Sequence, residues 1–224
     1  MPAPGSKVMA RLRHGLAAAS LLSLTLAVLS AAAASPVDVV DARFSFCITC
    51  HGANAQGNPG VAAPRLGGLP AWHIETQLKS FQAGWRGTAE GDEHGEVMRT
   101  MALALADDKA VQDAAAWAAA LEAPPPAATV LGGDAAAGKA LYAPCAACHG
   151  VEGQGQEALG APPLAGQNDW YLETQLENYL AGRRGFDPAD SRGQQMRALA
   201  GTVSTVQHRR DLLAYLATLS AKAP

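Results

Sequence analysis

The sequence predicts an all-α protein made of two copies of one small domain, and three observations predict it. An offset of 98 residues lays Cys47 on Cys145 and Met98 on Met196, and runs without a gap to Leu121 on Leu219. No stretch alternates apolar and polar residues as a half-buried strand does, whereas several carry apolar residues at helical spacing. Each copy holds one Cys-x-x-Cys-His pentapeptide, Cys47–His51 and Cys145–His149, and the two account for all four cysteines.

Taken in order, the chain opens on a basic stretch, Lys7, Arg11 and Arg13. The apolar run Leu16 to Leu29 and the small residues Ala31 to Ala34 follow. Residues 1–34 therefore read as an export signal or, uncleaved, as a membrane anchor. The first copy occupies 36–123: a short helix over about 36–46 leading into the pentapeptide, a glycine-rich loop, and a helix with Trp72, Leu78 and Phe81 on one face. A glycine- and charge-rich loop bearing Met98 comes next, then a last helix over about 107–121. Residues 124–133 include three prolines, which forbid helix continuation and favour a stiff extended linker.

The second copy, 134–221, repeats the plan with a helix over 135–143 and another with Trp170, Leu172, Leu176 and Tyr179. The loop with Met196 follows, and then a helix over 205–219 whose apolar face is Leu212, Leu213, Leu216 and Leu219. Gly138 would let the first helix of this copy cross the last one closely near Tyr215. The first copy has Val40 and Phe44 in place of Gly138 and Tyr142, so the corresponding contact is expected to be looser.

A formal charge of -3 gives no reason to expect a nucleic-acid partner. Residues 36–123 carry 6 basic against 11 acidic side chains, and 134–224 carry 8 against 9, so one half is acidic and the other nearly neutral. Aromatic residues make up only 5% of the chain, which leaves a thin core for two domains unless a buried group supplies apolar volume.

The pentapeptide supplies that group. Cys-x-x-Cys-His is the signature of covalent haem attachment, in which two thiols become thioethers and the histidine ligates the iron. A zinc half-site or a redox disulfide would also use Cys-x-x-Cys, but neither needs a histidine directly after each second cysteine. The expected cofactors are thus two haem c groups, on Cys47 and Cys50 with His51, and on Cys145 and Cys148 with His149.

The sixth iron ligand separates carrier from catalyst. Only Met98 and Met196 are equivalent in the register; Met101 falls on Leu199, His73 on Tyr171, His94 on Arg192 and His208 on Ala110. Met98 and Met196 are the expected ligands, with Met101 the rival in the first copy, and the three unmatched histidines read as surface residues. Pro64 and Pro162 suit a rigid loop whose carbonyl fixes the ligating imidazole. Trp72, Trp170, Arg86 and Arg184 are candidates to contact haem propionates, or else a pair of helix core residues and a pair of solvated cations.

Two Cys-x-x-Cys-His domains, each with a Pro-x-Leu-type loop, the helix tetrad Glu-Thr-Gln-Leu at 75–78 and 173–176, an Ala-Gly-x-Arg-Gly turn and a methionine, resemble the dihaem cytochromes of the cytochrome c4 family over nearly all of 36–221. The resemblance implies tandem cytochrome c domains about a pseudo-twofold, with propionate edges near one another and axial pairs His51/Met98 and His149/Met196. It implies an electron carrier in the periplasm, soluble or membrane-associated. Such a carrier takes electrons from a quinol-oxidising complex or a dehydrogenase and delivers them to a haem–copper oxidase or another reductase. The alternatives are a haem subunit of a dehydrogenase complex, or a dihaem enzyme such as a peroxidase or a thiosulfate-oxidising cytochrome. Paired methionines and the lack of a further cysteine argue against the enzyme.

Overall fold

The computed structural model describes residues 43–219. The export segment and most of the helix expected over 36–46 lie outside them. Within them the regular structure is helical, with two isolated antiparallel bridges, Asn58 to Ala63 and Gln156 to Ala161.

Each copy contributes four helices in the same order: α1 (Ser45–His51), α2 (Ala71–Gln82), α3 (Glu93–Leu103) and α4 (Asp108–Ala119), then α5 (Ala135–His149), α6 (Asp169–Leu180), α7 (Ser191–Ala200) and α8 (Val206–Thr218). Carboxylate or hydroxyl side chains accept from backbone N–H groups at five of the helix starts, Asp92, Asp107, Asp134, Asp190 and Thr205. Each such cap is worth about 0.5–2 kcal/mol.

Two expectations change here. Both pentapeptides lie within a helix: the one expected over 135–143 does not end there, since α5 runs on through Pro144 to His149, and α1 takes in Cys47–His51. The methionines expected on loops sit on α3 and α7. Asp92 and Asp190 start these helices by accepting from the amides of Gly95 and Gly193, and a Cβ at either glycine would stand 2.1 or 1.9 Å from the carboxylate. That pairing of aspartate and glycine converts a glycine-rich sequence into helix at the right place.

In the first copy α2 packs on α3 and α4, and in the second α6 packs on α7 and α8 while α5 lies along α8. Gly138 makes the last contact possible: a Cβ there would lie 1.8 Å from the Asp211 carbonyl oxygen and 2.9 Å from the Tyr215 Cβ. Tyr142, buried beside Tyr215, donates to the Gly150 carbonyl at 2.6 Å. Phe44 takes the equivalent place and is buried against Trp117, with centroids 6.0 Å apart, so the aromatic contact is kept without its hydrogen bond. Val40, the other half of that expectation, lies outside the described residues.

Each copy has its own core, and the first is rich in alanine: Ala102, Ala114, Ala115 and Ala118 line it beside Val111 and Phe81. A fully buried Val111 or Leu213 contributes roughly 1.5–3 kcal/mol, an alanine far less, so the first core gains comparatively little from its own side chains.

The two copies meet in one compact unit. Arg65 N donates to Asn168 Oδ1 at 2.8 Å, Gln167 Nε2 to the Arg65 carbonyl at 3.1 Å and Asn168 Nδ2 to the Gln56 carbonyl at 3.3 Å. The linker carries no regular secondary structure, and it is fastened at two places. The Arg65 guanidinium holds the Ala123 and Pro124 carbonyls, and Asp169 accepts from Thr129 N, Thr129 Oγ1 and Val130 N.

Candidate haem sites

Helical geometry puts positions i, i+3 and i+4 on one face, so the last turns of α1 and α5 present Cys47, Cys50 and His51, and Cys145, Cys148 and His149, each as a single set. All four thiols are free. Burial pushes the Cys47 thiol up to about 11 and raises Cys145 as well, the reverse of the acidic thiolate that a redox or zinc Cys-x-x-Cys needs. No group of three or more His, Cys, Asp or Glu side chains is arranged to hold a metal ion among the described residues.

After each helix the chain turns through a glycine at positive φ, Gly52 or Gly150, and folds back across the histidine. Gly57 N and Gly155 N bond the His51 and His149 carbonyls at 2.8 Å, and the short bridges close the loops. The fold-back delivers a carbonyl to each imidazole: Nδ1 lies 2.6 Å from the Pro64 oxygen in His51 and 2.7 Å from the Pro162 oxygen in His149. A carbonyl only accepts, so Nδ1 carries the proton and Nε2 keeps its lone pair. Burial lowers both imidazole pKa values, partly opposed by that same hydrogen bond, and keeps the rings neutral at pH 7. A buried neutral imidazole with a free Nε2 is a metal ligand prepared in advance.

Met98 packs on the first core together with Cys47, and Met196 on the second together with Cys145. Met101, one turn further along α3, is 38% exposed. The turn after α2 fixes α3 against it, because Gly87 at positive φ approaches the Gly95 backbone so closely that a Cβ would stand 2.2 Å from the Gly95 oxygen. Gly185 and Gly193 repeat the contact at 2.2 Å.

Arg86 and Arg184 are not solvated cations. Arg86 is 7% exposed, its guanidinium 4.2 Å from the Phe81 ring centroid; Arg184 lies 4.4 Å from that of Tyr179. Neither takes part in an ion pair among the described residues. The Arg86 Nε is buried without a hydrogen-bond partner, and Arg99 Nε on α3 is in the same state. Buried unneutralised guanidinium is costly and calls for an anion. The free thiols, the poised imidazoles and these cations together fit haem, whose propionates would meet Arg86 and Arg184.

Trp72 and Trp170 are half-buried and stand edge-on to His73 and Tyr171, at 5.7 and 6.1 Å. Neither indole N–H meets a protein acceptor among the described residues. His94 and His208 are exposed as expected. His73 is half-buried rather than exposed: desolvation and then the charges of Arg184, Arg86 and His149 push its pKa down to about 3. Its helical neighbours Trp72 and Ile74 gave no sign of this, because the burying partners come from the other copy. No role was legible in the sequence for Gln77/Gln175, known there only as part of the repeated tetrad, nor for Asp92/Asp190 and Gly95/Gly193, although each pair falls on the 98-residue register that selected the methionines.

A haem attached at such a site supplies an iron centre that changes oxidation state by one electron. The chain's own residues would attach it through the cysteines, present Nε2 and offer positive charge to its acidic edge.

Comparison with known proteins agrees with this arrangement. The family model described as Cytochrome c matches twice, over residues 41–121 and 135–220. A thiosulfate dehydrogenase electron acceptor of Stutzerimonas stutzeri (strain A1501) is 38% identical over 167 residues, 69% of this chain and 72% of that protein. The structure of cytochrome c4 from Acidithiobacillus ferrooxidans superposes with a TM-score of 0.62 at 27% identity, over 77% of this chain and 98% of that one. The thiosulfate dehydrogenase TsdBA of Marichromatium purpuratum gives 0.61 at 34% identity over 77% of this chain, which spans only 36% of that one.

Proposed function

The chain belongs to the cytochrome c family, with two of its domains and two covalent haems in a cytochrome c4-like dihaem protein that transfers electrons, and from that premise we propose a carrier with two closed, six-coordinate His/Met iron sites. The ligands are His51 with Met98 and His149 with Met196. The equivalent packing of Met98 and Met196 on the two cores that Cys47 and Cys145 also touch, with Met101 turned out, is the observation that carries this reading. Methionine ligation favours the ferrous state and raises the potential, and a filled sixth position leaves substrate no place at iron.

The domains are taken as 36–123 and 134–221, joined by 124–133. The donor is a dehydrogenase that oxidises a small sulfur anion, the class named in the Stutzerimonas and Marichromatium proteins, and the acceptor a haem–copper oxidase or another reductase. The setting is the periplasm; no helix among the described residues is long and apolar enough to cross a membrane.

Mixing oxidised protein with thiosulfate and catalytic thiosulfate dehydrogenase tests the assignment. Both haems become reduced in the full mixture, and neither does with thiosulfate alone. Reduction by thiosulfate without the dehydrogenase would make the chain an enzyme, and no reduction in the full mixture would remove this donor class.

A further inference from the structure

Gln77 and Gln175 occupy equivalent places on α2 and α6, and Arg86 and Arg184 equivalent places on the turns that follow. Arg86 donates from Nη1 to the Gln77 amide oxygen at 2.7 Å and from Nη2 to the Gln175 amide oxygen at 3.2 Å. Arg184 mirrors it, with Nη1 2.8 Å from the Gln175 oxygen and Nη2 3.3 Å from the Gln77 oxygen. Guanidinium only donates, so both amides present oxygen to it, and the four bonds close a ring across the junction between the copies. Tyr171 OH adds a longer contact to Arg86 Nη2 at 3.5 Å.

The chemistry of the acceptors matters as much as their place. Two buried arginines this close repel, and burial together with the neighbouring Arg86 lowers the Arg184 pKa. A carboxylate at position 77 or 175 would relieve that repulsion by cancelling one of the two charges. An amide oxygen holds the guanidinium groups equally well in direction and leaves their charge available to an anion. Each amide, moreover, serves both arginines, so neither copy orients its own cation alone.

We propose that Gln77 and Gln175 are positioning residues that hold Arg86 and Arg184 as one shared, unneutralised cationic pair, so that the potential of each haem depends on the glutamine of both copies. The proposal rests on the carrier reading above and adds to it the device that ties the two sites together.

The test is spectroelectrochemical titration of the full-length holoprotein, with the two sites told apart by paramagnetic NMR. Gln77→Leu removes an acceptor from both arginines with no change of charge. Released towards water, the cations stabilise both ferrous sites less, and both midpoints fall, each redox equilibrium changing about threefold to tenfold. A shift confined to the first copy, or no shift, would overturn the proposal. Should Gln77→Leu fail to fold, Gln77→Glu keeps the acceptor and cancels one of the pair's two charges; both midpoints again fall, and a fall in the first copy alone contradicts the shared ring. The charge-transfer band of the iron–methionine bond in the unaltered protein separates the two levels. Its absence there would sink the ligand assignment, whereas its presence with a one-sided shift sinks only the ring.

Discussion

His51 Nδ1 stands 2.6 Å from the carbonyl oxygen of Pro64, and the same pair recurs 98 residues on as His149 and Pro162 at 2.7 Å. The contact selects the tautomer that leaves Nε2 free, and a loop stiffened by proline holds the carbonyl in place. Both ends of this relationship were visible as repeated residues in the sequence, before any fold was known.

Replacing Pro64 by alanine keeps the carbonyl and loosens the loop. The weaker hydrogen bond makes the imidazole a poorer donor to ferric iron, worth about 0.5–1 kcal/mol, or roughly 20–45 mV for a one-electron couple. The first midpoint therefore rises by about that much while the second holds. Potentiometric titration of Pro64→Ala measures it, and an equal rise at both sites contradicts a local role.

The close crossing of α5 on α8 depends on the missing side chain of Gly138. Gly138→Ala forces a Cβ into the Asp211 backbone, which lies 1.8 Å from the ideal position. Overpacking of this kind costs roughly 1–3 kcal/mol. Urea unfolding should show the second copy destabilised by that amount, and unchanged stability would show that the crossing gives way freely.

Asp169 ties the linker to α6. Burial opposes its ionised form, but the bonds from the Thr129 hydroxyl and from the backbone amides of Val130, Thr129 and Trp170 outweigh that and lower its pKa. A carboxylate depressed on folding contributes stability that is complete above the unfolded value of about 3.9 and is lost as pH falls through the folded value. The linker should therefore loosen only in acid, below about pH 4. Hydrogen exchange at Thr129 and Val130 measures it: protection that declines through this range supports the tie, and protection equal in Asp169→Asn and the unaltered protein contradicts it.

The repeat made most of the helices, the carbonyl-bonded histidines and the equivalent placing of the two methionines legible, because each depends on residues within one copy. His73 and the docked linker were not legible. Their environment is made by Arg184 and Asp169, supplied by the other copy, and no local period reports a contact across the junction. Arg65 shows the same limit. Its partners Gln167 and Asn168 lie more than a hundred residues away, and its equivalent in the register is Pro163, so the repeat itself hides it. The helical placement of Met98 and Met196 was missed for a different reason. Glycine and charge suggest a loop unless Asp92 and Asp190 are recognised as the residues that start α3 and α7.

Two filled iron sites are the centre of this account, and the ferric absorption spectrum tests them most directly. The weak iron–methionine charge-transfer band is expected at a strength matching two haems, halved in Met98→Ala and unchanged in Met101→Ala. High-spin ferric iron, rapid carbon monoxide binding to one ferrous haem, or a band halved by Met101→Ala instead would contradict it.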